Sequence, residues 1–137
     1  SRVQRMSVLT DVINAVAALV NKTTPFAPVT IGTEKPLQGI SLIPRGGVTD
    51  TTFLEKSSTN ELFLMLNGKH DDQETLMSTL DRIHRALVQA KDYPSGEGWQ
   101  ITNIQTENHP FPEGYDESRQ LWEYSSDLLV KFFYMKG

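Results

Sequence analysis

From Trp122 through Tyr124, Ser126, Leu128, Val130 and Phe132 to Tyr134, every second residue but one is apolar or aromatic. A period of two maintained over this distance fits a long β-strand with one apolar face, and a one-residue slip would turn that face to water. The opposite face is polar in the middle, at Glu123, Ser125 and Asp127, and then becomes apolar at Leu129 and Phe133 around Lys131. A lone copy of such a strand is expected to leave Leu129 and Phe133 wet, so a second covering surface is anticipated.

Two segments carry the helical period instead. Between Arg2 and Asn21, Met6, Leu9, Ile13, Val16 and Val20 recur at steps of three and four, and Thr23-Thr24-Pro25 ends the run because Pro25 drives Thr24 out of the α region. Between Asp71 and Ala90, Leu76, Leu80, Ile83 and Leu87 form the buried stripe. Asp71 is placed to cap this helix with Glu74 at the capping-box spacing, and Asp81 and Arg85 form an exposed pair.

The remaining segments read as strands and loops. Pro28–Ile31 and Gly39–Ile43 are short extended pieces separated by Gly32-Thr-Glu-Lys-Pro36, which predicts a hairpin. Pro44-Arg-Gly-Gly47 ends the second piece, and 44–60 reads as a projecting loop anchored by Phe53 and Leu54. Glu61–Leu66 is an apolar run that reads as a strand covered on both faces or as an interface strand, followed by an Asn67-Gly68 turn signal. Trp99–Glu107 is a strand in which Ile101 and Ile104 are out of phase, which suggests a bulge near Asn103 or exposure on both faces, and His109-Pro-Phe-Pro-Glu-Gly114 reads as a loop. The order is α-β-β-β-α-β-β: a single α+β domain over 1–137, with a mixed, mostly antiparallel sheet, two helices on one face and a long β-β loop.

Composition narrows the chemistry. The 137 residues include no cysteine, which removes disulfides and thiolate sites together. A net charge of −4 and a pI near 5.3 argue against a surface built to grip phosphates. No apolar stretch approaches the ~20 residues a membrane helix needs, so no membrane partner is expected. The basic start, Ser1–Arg5, leads into no secretory apolar core, and a chain opening without Met suggests a cloning or processing edge.

Nucleotide loops, nucleophile elbows and zinc-protease motifs are missing, and no catalytic, cofactor-binding or metal residue is assigned. His70-Asp71-Asp72 is the one local grouping of imidazole and carboxylates, and it keeps open a small His/Asp-dependent enzyme or a cellular ligand-binding domain. His84 reads as a boundary residue with a local hydrogen bond, and His109 as a loop residue available for contacts. Arg45 sits in a solvated reversal.

The order of elements, with Phe63-Leu-Met-Leu-Asn-Gly68 running into a capped helix, then Trp99-Gln-Ile-Thr-Asn-Ile104 and a closing strand from Trp122-Glu-Tyr-Ser-Ser126 to Lys131-Phe-Phe-Tyr134, resembles the tail terminator proteins of long-tailed phages. These are also known as minor capsid or head–tail joining proteins, and the resemblance spans nearly the whole chain. It implies a structural virion protein of tail or neck, assembled in the bacterial host cytoplasm, and not an enzyme. Copies would close, as hexamers, into a ring that ends the tail tube and joins it to the head. DNA would pass through without sequence-specific binding, and the partners would be sister copies, the tail tube protein and head connector proteins. Another neck or head-completion protein of the same phages is the alternative. On this reading the 44–60 and 108–118 segments meet tube or connector. The interface candidates are Arg45, Asp50, Phe53, Leu54, Phe63, Met65, His109, Phe111, Tyr115, Leu129 and Phe133. An acidic passage would let the genome slide, because a basic one would hold it through counterion release.

Overall fold

The computed structural model describes residues 2–46 and 57–135. Helix α1 (Arg2–Lys22) leads to β1 (Val29–Ile31), β2 (Gly39–Pro44) and β3 (Ser57–His70); α2 (Gln73–Val88) follows, then β4 (Ser95–Gly96), β5 (Trp99–Asp116) and β6 (Leu121–Met135). The six strands form one sheet in the order β1-β2-β3-β6-β5-β4, parallel at β1–β2 and antiparallel elsewhere. The expected element order and mixed sheet are therefore present. No helix among the described residues is long and apolar enough to cross a membrane.

Three long strands, β3, β6 and β5, dominate the sheet. The alternation in β6 places Tyr124, Leu128, Val130, Phe132 and Tyr134 in the core, where Leu62, Leu64 and Leu66 of β3 join them. The stripe of α2 packs on this face as expected, with Leu76, Leu80 and Ile83 fully buried. In α1 the buried line is Val8, Val12, Val16, Ala17 and Val20, with Leu9 and Ile13 at its flank. That line is turned from the predicted one because the β-branched valines face inward; the side chain of Met6 lies outside the described residues.

Five further local expectations are corrected. β1 and β2 pair in parallel, with Val29 opposite Ile40, and do not form a hairpin. Parallel neighbours usually need a crossover of a dozen residues. Here β1 is three residues long, so the 32–38 loop suffices to bring the chain back. The edge strand is held by the Asn21 side-chain oxygen, which accepts from the Val29 N–H at 2.9 Å. The predicted loop is also shorter at its far end, since 57–60 belong to β3 and pair with β6, while 47–56 lie outside the described residues.

Asn67-Gly68 makes no turn, and β3 continues to His70. Gly68 serves close packing instead: a Cβ there would lie 2.8 Å from Leu76 Cδ1. The 109–114 segment is strand, because β5 runs unbroken to Asp116 with register shifts at Ile101/Asn103, Thr106/Asn108, Asn108/Phe111 and Pro112/Gly114. The first of these is the bulge expected near Asn103. β4 pairs with Trp99 and Gln100 alone, so Pro110 and Pro112 lie on a free edge where a missing N–H breaks no ladder.

The start of α2 is Asp72, one residue later than expected, and its side chain makes no bond to the helix backbone. Thr75 donates its hydroxyl to the Asp72 carboxylate instead. Helix α1 ends with Thr24 at φ 56°, a left-handed conformation that a β-branched residue adopts under strain.

Candidate assembly surface

Both helices lie on one face of the sheet, and most of the predicted interface residues converge on the other. Directly opposed residues of antiparallel strands share a face. Phe63 lies opposite Leu129, Met65 opposite Asp127 and Phe111 opposite Ser125, while Phe133 lies between Thr59 and Gln100. Phe63, Met65, Phe111, Leu129 and Phe133 thus form one surface, although they come from three strands and 71 positions of sequence (63 to 133).

The expectation that a lone copy leaves this surface wet is overturned for Leu129, which is 6 % exposed, while Phe63, Met65, Phe111 and Phe133 are half-buried. Leu129 lies between its registered neighbours Phe63 and Gln105, and flanking strands shelter a central residue without a second layer. Arg45 reaches over the same surface. Its backbone N–H donates to the Phe63 carbonyl at 2.8 Å, and its Nη1 approaches the Met65 sulfur at 3.2 Å. Arg45, Phe63, Asn108 and Asp127 line a recess of 230 Å³.

Carboxylates border the surface. Asn67 Nδ2 donates to Glu123 at 2.7 Å and to Ser125 Oγ at 3.1 Å, and Asn108 Nδ2 donates to Asp127 at 2.7 Å. Lys69 pairs with Glu34 at 3.6 Å. Burial, followed by the negative charges of Glu123, Glu34 and Asp127, pushes the Glu113 carboxyl above its usual value, with Arg45 opposing. Three acids, from the 32–38 loop and from β6, thus act on one carboxyl of β5, a juxtaposition with no signature along the chain.

The histidines occupy different places. His70 accepts the Asp72 N–H on Nδ1 at 2.9 Å, lies 3.1 Å from Asp71 and meets the edge of Phe26 at 4.6 Å between ring centres. His84 is buried rather than at the boundary, and its Nε2 is 2.7 Å from Thr106 Oγ1 across to β5. Burial, then the nearby His109 ring at 5.4 Å, lowers the His84 pKa, while Asp81 raises it. His109 is exposed on β5, not in a loop. Among the described residues no group of three or more His, Cys, Asp or Glu could hold a metal ion.

At the end of the β5–β6 hairpin, exposed Tyr115 packs on Trp122 with ring centres 4.8 Å apart. Asp116 is held down to about 2 by the Ser118 hydroxyl and then by Arg119. Asp50, Phe53 and Leu54 lie outside the described residues. Periodicity also missed a second group: Ile31, Leu37 and Met77 are exposed, with Leu37 showing 65 % of its surface. Leu37 follows the turn-prone run directly, and an apolar residue there is the one sequence signal that could have marked it. Met77 borders a groove of 480 Å³ between α2 and β5, floored by Pro110 and Tyr124.

No protein-family model matches the chain, and no curated protein matches it. Among solved structures it is similar to a chain from the virion of a native gene transfer agent particle, at 15 % identity and a TM-score of 0.49, with 86 % of this chain and 84 % of that chain covered.

Proposed function

We propose that this chain is a structural virion protein whose copies close into a ring at the end of a phage tail tube and join the tail to the head. One observation carries the reading: the helix-free face gathers Phe63, Met65, Phe111 and Phe133, half-buried, around Leu129, with Arg45 reaching over them. A neighbouring protein surface would take the apolar area that these aromatic and thioether groups still expose out of water, which favours association. The sequence resemblance to tail terminators supplies the kind of assembly.

The mechanism is geometric and non-enzymatic. Each copy presents one surface to the copy before it and a different one to the copy after it, and the rotation between copies closes the circle, six-fold on the resemblance. An acidic wall along the passage repels phosphate and keeps the genome mobile. Tail tube and connector proteins meet the two rims of the ring.

Light scattering of the purified chain over a range of concentrations tests the self-association. The expected result is a single closed multiple of the 15.4 kDa mass. Phe63→Asp should shift it to the monomer while melting stays cooperative. An unchanged multiple in Phe63→Asp would remove this face from the assembly.

A further inference from the structure

The most exposed large apolar side chain among the described residues is not one of those that line the groove able to receive it. Leu37 is 65 % exposed on the loop between β1 and β2, with Ile31 45 % exposed beside it on the edge strand. β1 is the first strand of the sheet, and β5, which supplies Pro110, is the fifth. Three strands, β2, β3 and β6, separate β1 from β5 in the sheet.

The groove has apolar walls and acidic rims. Met77, Pro110 and Tyr124 line it, and Glu74 and Asp81 stand at its borders on α2. Its 480 Å³ falls within the roughly 300–1,000 Å³ of pockets that enclose whole chemical groups, so one leucine with its flanking backbone fits. Gln73 Nε2 donates to the Tyr124 hydroxyl at 2.9 Å, which fixes the floor.

Charge matches shape. Lys35, two residues before Leu37, is exposed, and among the described residues it has no ion pair, whereas its neighbour Glu34 is engaged by Lys69. Glu74 is likewise exposed and without an ion pair among the described residues, while Asp81 shares its charge with Arg85. One edge of the molecule thus offers a leucine with a free cation, and the other an apolar slot with a free anion.

We propose that the 32–38 loop of one copy docks into the α2–β5 groove of the next, Leu37 entering between Met77, Pro110 and Tyr124, and Lys35 pairing with Glu74. The contact joins two different patches, so it repeats head to tail unless a pair of copies exchanges loops reciprocally. The inference rests on the ring reading and adds, beside the helix-free face, a second contact between successive copies.

The chain has no cysteine, so introduced thiols report without background. Leu37→Cys and Met77→Cys proteins, mixed under mild oxidation with and without tail tubes, should cross-link to each other, and neither should cross-link to itself. The double variant should give a ladder of multimers. Lys35→Glu and Glu74→Lys should each weaken association about tenfold, the discrimination available to a well-placed interfacial charge, and together restore it. Rings that form in the microscope without the mixed cross-link would overturn this contact and leave the ring reading standing. A cross-linked product that stops at two copies would overturn head-to-tail repetition. A chain that stays monomeric with and without tubes would overturn both.

Discussion

Replacing Gly68 by alanine tests whether helix α2 rests on the sheet as closely as described. The added Cβ would lie 2.8 Å from Leu76 Cδ1 and 3.3 Å from Leu80 Cδ2. Neither leucine can swing away into solvent, because both are fully buried. Overpacking of this kind costs about 1–3 kcal/mol, and the reduced freedom of the unfolded chain returns about 0.4–1 kcal/mol. A net loss of about 1–2 kcal/mol, or roughly 4–8 °C in melting temperature for a chain of this size, is expected by calorimetry or urea unfolding. Trimming the partner supplies the control. Leu76→Val costs about 1 kcal/mol on its own but should cost little in the Gly68→Ala background, a coupling of at least about 0.5 kcal/mol. Strictly additive effects, or an alanine variant as stable as the parent, would refute the close approach and return Gly68 to a turn.

Thr24→Asn should stabilise the chain by about 1 kcal/mol in chemical unfolding, because asparagine tolerates the left-handed backbone that strains threonine. His84 has a folded-state pKa below its unfolded value near 6.5, so its neutral form is the native one. Stability should therefore fall as pH drops below about 6.5 toward the lowered pKa. His84→Gln should flatten that part of a melting-temperature profile. For Glu113 the folded-state pKa is raised, so ionisation works against the fold as pH climbs above the ordinary carboxylate range. The melting temperature of Glu113→Gln relative to the parent should rise between pH 4 and pH 7, and a constant difference would remove the acidic group from the account.

Much of this fold is legible one element at a time. The alternation from Trp122 to Tyr134 and the stripe Leu76, Leu80, Ile83 and Leu87 each specify a face, because burial of one side imposes a period along the chain. Asn67-Gly68 misleads because the same glycine that permits a turn also permits a helix to approach a strand, and the sequence does not distinguish the two. The Pro-rich stretch of β5 misleads for a related reason: proline forbids a central strand and not a free edge. The parallel pairing of β1 depends on the placement of α1, a long-range fact with no local signature.

The candidate surface is legible in part for the same reason. Phe63, Met65, Leu129 and Phe133 can be assigned to the outer face from alternation alone, yet the burial of Leu129 depends on the strands beside it. Leu37 is a lone apolar residue in a polar loop and Met77 falls outside the buried stripe of α2, so neither carries a periodic signal, and their exposure shows only in the folded chain. The same holds for Glu113, which feels Glu123, Glu34 and Asp127 only because the fold brings them together.

Imaging of tail-tube ends by electron microscopy after addition of the purified chain tests the central claim most directly. A single ring of fixed copy number seated on the end of each tube is the predicted result. Tubes that stay bare at both ends, beside a chain that remains monomeric at every concentration, would contradict it.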